Sequence, residues 1–235
     1  MDAQQTITLI TGANKGLGHE TARRLREAGH TVLLGARDVQ QGKRAADELD
    51  VEFVPLDVTD DAAVDAAAEH VRARYGRLDV LVNNAGVVGP RGPLADTTAA
   101  EVLATLDTNL LGVVRLTHAF LPLLRAAANP RIVNVSSGTG RLTWQHESGW
   151  PQERAPAVYS TSKAALTMLT LHYAHALPDI RVNAAFPGYT ATDLNDGQGT
   201  QTLTEGTDAI VRLATLPPDG PTGTTQTRDG ATTPW

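Results

Sequence analysis

The sequence predicts an α/β fold, a doubly wound parallel sheet with helices on both faces, and three observations predict it. Short β-branched runs alternate with longer helical patterns, the runs are apolar and bounded by turn signals, and a glycine loop joins the first run to the first helix. Parallel strands need crossover connections, so apolar runs separated by helices imply a sheet covered on both sides. With 235 residues and 41% hydrophobic composition the chain can bury one sizeable core, so a single domain over 1–235 is expected. Beyond the alternation itself, the sequence carries no repeat of 20–50 residues.

The elements follow in order. "TITLI" precedes "GHETARRLREAG", in which Ala22, Leu25 and Ala28 share one face and Gly29 stands where a C-terminal cap belongs. "TVLLGA" precedes "VQQGKRAADEL", whose start has capping-box spacing in Asp38 and Gln41. "VEFVPLD" and "DAAVDAAAEHVRARYG" complete a third unit, and "LDVLVNNAG" is a fourth strand. A long helix is expected over 100–125, with Pro122 near its end, then the strand "RIVNVSSG", the helix "AVYSTSKAALTMLTLHYAHAL" and the strand "IRVNAAFPG". Two regions read as irregular and suited to binding loops: 140–157, with Trp144, Trp150 and Pro151, and the glycine-rich stretch from Asn195.

A net charge of −6 without a basic run argues against nucleic acid or an anionic membrane as partner, so any cationic site is small. The absence of cysteine removes disulfides, thiol nucleophiles and thiolate metal sites together and suits a reducing compartment. The polar start "MDAQQT" and the lack of a membrane-length apolar run make a cytoplasmic protein the expectation.

Glycines between a first strand and a first helix allow a tight turn and put an anion at the helix N-terminus. Here they are Gly12, Gly16 and Gly18, with Lys15 among them. A dinucleotide with a free ribose 2′-hydroxyl is generally met by a carboxylate at the end of the second strand. This strand ends instead in Ala36 and Arg37, while Asp38 is accounted for as a cap. Lys15 and Arg37 together suit a 2′-phosphate, which predicts NADPH/NADP+. Asp57 and Val58 after the third strand, and Asn83, Asn84, Ala85 and Gly86 after the fourth, fall at carboxyl ends of strands, which face the ligand crevice. Asp57 could equally begin a turn.

"YSTSK" sets Tyr159 and Lys163 one helical turn apart. A phenol with a pKa of ~10 is a poor proton exchanger at neutral pH, and a nearby ammonium would lower it into a more useful range. His146, His172 and His175 lack a recognised ligand spacing, and no metal is expected.

"TGANKGLG", "NNAG", "TNLLG", "IVNVSS", "YSTSK" and "VNAAFPGYTATDL" stand in the order shown by the short-chain dehydrogenase/reductase family, which the chain resembles from about Thr6 to Trp235. "NKGLG", "ARD", "PGYTATDL" and "LPPDGPTG" are most similar to its carbonyl reductase-like branch. The resemblance implies a Rossmann-type sheet of about seven strands in the order 3-2-1-4-5-6-7 and an NADPH-dependent reduction of aldehydes or ketones, quinones included. In that scheme Tyr159 donates the proton, Ser137 rather than Ser136 hydrogen-bonds the carbonyl oxygen, Lys163 tunes Tyr159 and holds the nicotinamide ribose, and Asn109 holds a relay water. Cofactor contacts fall to Gly12, Asn14, Lys15, Gly16, Leu17, Gly18, Arg37, Asp57, Val58, Asn83, Ala85 and Gly86, with Pro187, Gly188, Thr190 and Thr192 at the nicotinamide. The 22 positions from Ser137 to Tyr159 imply an insertion at 140–157 that bears on oligomerisation and favours a monomer, with Trp144, His146 and Trp150 available to line a pocket. Two alternatives stand beside this reading: an alcohol dehydrogenase working in the oxidative direction, and a non-catalytic NADPH sensor.

Overall fold

The computed structural model describes residues 5–147 and 156–232. Strands and α-helices follow one another among the described residues: β1 (Ile7–Thr11), α1 (Gly16–Glu27), β2 (Thr31–Ala36), α2 (Val39–Leu49), β3 (Glu52–Pro55), α3 (Asp61–Tyr75), β4 (Val80–Asn83), α4 (Ala99–Leu106), α5 (Gly112–Arg125), β5 (Arg131–Val135), α6 (Leu142–Glu147), α7 (Ala157–Ala176), β6 (Arg181–Ala185), α8 (Leu203–Ala214) and β7 (Thr225–Gln226). The strands form one sheet in the order β3-β2-β1-β4-β5-β6-β7, parallel at every pairing. The expected order holds. The seventh strand is only two residues long, too short for a periodicity argument to find.

Because neighbours along a strand point to opposite faces, consecutive residues feed two separate cores. Leu9, Leu33, Leu81 and Ile132 pack with Val71, Leu116, Phe120 and Leu124 on one face. Ile10, Leu34, Val82 and Val133 meet Leu25, Ala46, Ile210 and Leu213 on the other. Each fully buried leucine contributes about 2 kcal/mol of apolar transfer, so the sheet's register is held from both sides.

Local signals set the helix ends. The Asp38 carboxylate accepts from the Gln41 N–H at 2.9 Å, as the capping spacing predicts, and Gly29 adopts φ +86° just beyond α1. The helix expected over 100–125 is interrupted. Between α4 and α5 the backbone widens into a π-helical turn over Asp107–Leu111, which apolar periodicity does not reveal. Within the second irregular region a capping box at Thr192 and Asn195 closes a single 3-10 turn. Of the insertion, 142–147 is the short α6, which carries Trp144 and His146. Trp150 and Pro151 lie outside the described residues. Among the described residues no helix is long and apolar enough to cross a membrane.

β1 pairs with β2 on one side and β4 on the other, so the chain reverses its winding there and opens a crevice at the carboxyl ends of β1 and β4.

Candidate active site

The glycine turn borders that crevice. Gly12 holds φ +61°, and a Cβ on it would lie 2.9 Å from the Ala85 Cα. A Cβ on Gly18 would lie 2.5 Å from Asn84 Nδ2 and 2.6 Å from the Gly12 carbonyl. Both glycines are therefore required by close packing of the turn on the residues after β4. Gly16, at φ +57°, differs: the nearest atom to its absent Cβ is Thr192 Cγ2 at 3.9 Å, an ordinary van der Waals contact, so its backbone conformation and not crowding favours glycine. The Lys15 side chain does not cap α1, and the first turn carries no acid, so the positive end of the helix dipole is left uncompensated by side chains there.

Asn84 fixes the turn, a role that sequence spacing did not single out. Its Nδ2 donates to the carbonyls of Thr11 at 2.8 Å and Gly12 at 3.1 Å, while Thr11 Oγ1 accepts the N–H groups of Asn84 and Ala85. Such a clasp pairs residues more than seventy positions apart, which no local pattern encodes.

At the adenosine end, Arg37 is 78% exposed and its Nε lies 3.9 Å from Asp57 Oδ2. The other Asp57 oxygen accepts the Thr59 N–H and hydroxyl, so the turn-forming role considered for Asp57 is present. Burial alone would raise the Asp57 carboxyl, but these bonds and the charges of Arg37 and Arg115 hold it below its ordinary value. Lys15 Nζ is paired with Asp193 Oδ2 at 2.9 Å, across the crevice. Asn14 turns its amide to Gln41, Val58 is buried in one core, and Leu17 packs against the other. Asn83 is likewise turned inward: its Nδ2 donates to Asn134 at 2.8 Å, and its buried Oδ1 finds no partner among the described residues. Any contact from Asn83 to a ligand in the crevice must come from its backbone.

The other end gathers Asn109, Ser137, Tyr159, Lys163 and Gly86. Ser136 Oγ bonds to the Lys163 carbonyl and to Thr167 Oγ1, so it is a buried tie between β5 and α7. Ser137, on the opposite face, bonds instead with Thr139 and with the Tyr159 phenol. Lys163 is buried, donates from Nζ to the Val135 carbonyl at 2.7 Å, and has Nζ 5.5 Å from the Tyr159 ring centroid. Burial draws its pKa from 10.5 to about 8. Burial also pushes the Tyr159 phenol above 10.0, with the Ser137 hydrogen bond partly opposing it. The expected lowering by Lys163 is not what sets the phenol here: burial raises it, only the Ser137 hydrogen bond opposes that, and the ammonium is directed at the Val135 carbonyl. The phenol accordingly holds its proton at neutral pH, the form a proton donor requires.

Asn109 sits in the wide turn with its amide clamped on Val87: Oδ1 accepts the Val87 N–H at 2.8 Å and Nδ2 donates to the Val87 carbonyl at 2.9 Å. An added Cβ on Gly86 would meet Asn109 Oδ1 at 3.4 Å and Lys163 Nζ at 3.6 Å. Past β6, Pro187 is buried, Gly188 has φ +78°, Thr190 Oγ1 bonds to the Pro187 carbonyl, and Thr192 faces the glycine turn.

A sheet switch point with a glycine turn and an uncapped helix N-terminus at one end and a tyrosine, serine and lysine gathered at the other is the arrangement of a dinucleotide-dependent oxidoreductase. The family model described as short chain dehydrogenase matches residues 6–202, and the chain belongs to that family. It is 31% identical to (+)-neomenthol dehydrogenase of Capsicum annuum, over 92% of this chain and 93% of that protein. The structure of salutaridine reductase from Papaver somniferum superposes with a TM-score of 0.84 at 30% identity, covering 94% of this chain and 99% of the other. An NADPH-bound carbonyl reductase from chicken fatty liver superposes with a TM-score of 0.86 at 28% identity, covering 99% and 100%. Family members bind a nicotinamide cofactor, and the crevice fits one: the glycine turn at its edge leads into a helix N-terminus without a side-chain cap or an acid in its first turn, and Arg37 stands exposed just after β2.

Proposed function

We propose that this chain, acting as one domain, reduces the carbonyl group of aldehydes and ketones, quinones among them, to alcohols with NADPH. The observation that carries the reading is the Tyr159 phenol hydrogen-bonded to Ser137, with the Nζ of the buried Lys163 5.5 Å from its ring centroid. The cofactor, when bound, supplies the hydride. Ser137 and Tyr159 would share the carbonyl oxygen, the serine stabilising charge as it develops and the phenol giving up its proton. Lys163, largely cationic at neutral pH with a pKa of about 8, would stabilise the phenolate left behind. Asn109 would return the proton from solvent through a water beside Gly86.

For the cofactor, Arg37 and Lys15 would hold the 2′-phosphate, and the backbone of Asn14, Leu17 and Gly18 the pyrophosphate. Asp57, Val58, Asn83, Ala85 and Gly86 would line the adenosine side, and Pro187, Gly188, Thr190 and Thr192 the nicotinamide. The reading is supported by an arginine where an acid would serve the 2′-hydroxyl, and by the NADPH carried by the chicken carbonyl reductase. Its test is NADPH oxidation across a panel of ketones, aldehydes and quinones, repeated with Tyr159→Phe. The variant should bind NADPH and turn nothing over; an idle parent enzyme on every carbonyl would refute the reading.

A further inference from the structure

We propose that Ser162 is a positioning residue for this reaction, tying the Asn109 amide to the turn of α7 that carries the proton donor; the inference rests on the reductase reading above. Ser162 is fully buried. Its hydroxyl donates to the Tyr159 carbonyl at 2.7 Å and accepts from Asn109 Nδ2 at 2.9 Å.

A serine hydroxyl has one proton, and here it is committed to Tyr159. The partner on its lone pairs must then be a donor, which selects the amino side of the Asn109 amide. The remaining Nδ2 proton goes to the Val87 carbonyl, and Oδ1 receives the Val87 N–H. Both Nδ2 protons are committed, the amide cannot flip without breaking three bonds, and one Oδ1 lone pair stays open to a water. Its oxygen is thereby kept on the Gly86 side, where Oδ1 and Lys163 Nζ both approach one point above the Gly86 Cα.

The tie acts on a helix start that no side chain caps. Tyr159 is the third residue of α7, Pro156 before it supplies no side-chain cap, and the first turn has no acid. A continuous path of hydrogen bonds therefore runs from Val87 at the crevice wall, through Asn109 and Ser162, to the backbone of Tyr159. Ser160 provides a control within the same helix: it is buried too, yet its hydroxyl finds no partner among the described residues.

The test compares Ser162→Ala, the near-isosteric Ser162→Cys, Ser160→Ala, Asn109→Ala and the Asn109→Ala/Ser162→Ala double variant. In both Ser162 variants kcat should fall about tenfold or more while KM for NADPH stays within about threefold, as for lost alignment of the reacting group. Ser160→Ala should match the parent. The double variant should be no slower than Asn109→Ala alone, because the two residues act through one path. Independently of turnover, the Tyr159 phenol, followed by its absorbance at 295 nm against a Tyr159→Phe reference without cofactor, should titrate at a different pH in Ser162→Ala and at the parental pH in Ser160→Ala. A parental kcat in both Ser162 variants, multiplicative losses in the double variant, or an unmoved phenol titration would overturn the inference. If the parent reduces no carbonyl, the reductase reading falls, and the phenol titration alone decides the role of Ser162.

Discussion

Replacing Lys163 by methionine should leave a signature in stability as well as in activity. The lysine is buried, and burial brings its pKa from 10.5 to about 8. The folded chain therefore binds this proton less tightly than the unfolded chain does. The cost of burying the cation is full below about pH 8 and fades as the pH rises towards 10.5. At about 1.4 kcal/mol per pKa unit the shift corresponds to about 3 kcal/mol, of which about 2.5 kcal/mol is relieved between pH 7 and pH 10. Methionine removes that cost but also the ammonium bond to the Val135 carbonyl at 2.7 Å, an interaction worth ~1.5–3 kcal/mol. The two proteins should accordingly be similarly stable at pH 7, and the parent should gain on the variant by about 2.5 kcal/mol as the pH climbs to 10. Urea unfolding at half-unit intervals measures the difference, in which groups remote from Lys163 cancel. The methionine variant should also lose ~10²-fold or more in kcat with the phenolate no longer stabilised. Stability curves that stay parallel from pH 7 to 10 would show that the lysine is not the desolvated cation described.

Four further outcomes follow from particular contacts. Arg37→Ala should raise the Kd for NADPH by about tenfold and barely change that for NADH, a figure reduced for the exposure of Arg37; equal losses by fluorescence titration would remove Arg37 from 2′-phosphate recognition. Asp193→Asn frees Lys15 from a pair exposed on both sides, so melting should hardly move while NADPH binds several-fold tighter, an advantage that fades in high salt; an unchanged Kd would rule out competition between Asp193 and the phosphate. Gly18→Ala forces a Cβ to within 2.6 Å of the Gly12 carbonyl and should cost about 1–3 kcal/mol together with cofactor affinity, read by calorimetry and titration. His30 is held neutral by burial and by the charge of Arg131, with a pKa of about 4 instead of 6.5. Folding opposes its protonation, so stability present above pH 6.5 is lost as the pH falls towards 4. His30→Gln should flatten that part of the melting-temperature profile, and an unaltered profile would refute the assignment.

The alternation of strands and helices, the glycine turn and the Tyr159–Lys163 spacing were legible in the sequence because each rests on short-range chemistry: a run of apolar letters, a glycine spacing, two residues one helical turn apart; the sheet order was legible only through the likeness of the motifs to a known family. Alternation along β5 even separates Ser136, which ties β5 to α7, from Ser137, which faces the phenol. What escaped depends on pairings set only by the fold. The clasp of Asn84 on Thr11 and Gly12, and the bond of Asn109 to Ser162, join segments distant in sequence. The widened turn at Asp107–Leu111 hides inside an unbroken apolar pattern. Asn83, Leu17 and Val58 illustrate the converse: a motif position says where the backbone runs, not where the side chain points.

The widened turn also restricts how the chain can change in length. It contains one residue more than a regular helical path needs. Losing the surplus residue would close the turn to a regular helix and displace Asn109, whereas losing a residue of α4 or of the start of α5 with the turn kept would draw the rest of α5 back by about 1.5 Å and rotate it by about 100°. Leu116, Phe120 and Leu124, all buried against the sheet, would swing off the core together. Shortening between Ala99 and Arg125 is therefore penalised through packing even where chemistry plays no part, whereas the loops before α4 and after α5 can absorb gaps and additions. In sets of homologous or engineered sequences, length variation should cluster outside this segment, whatever substrate each enzyme handles.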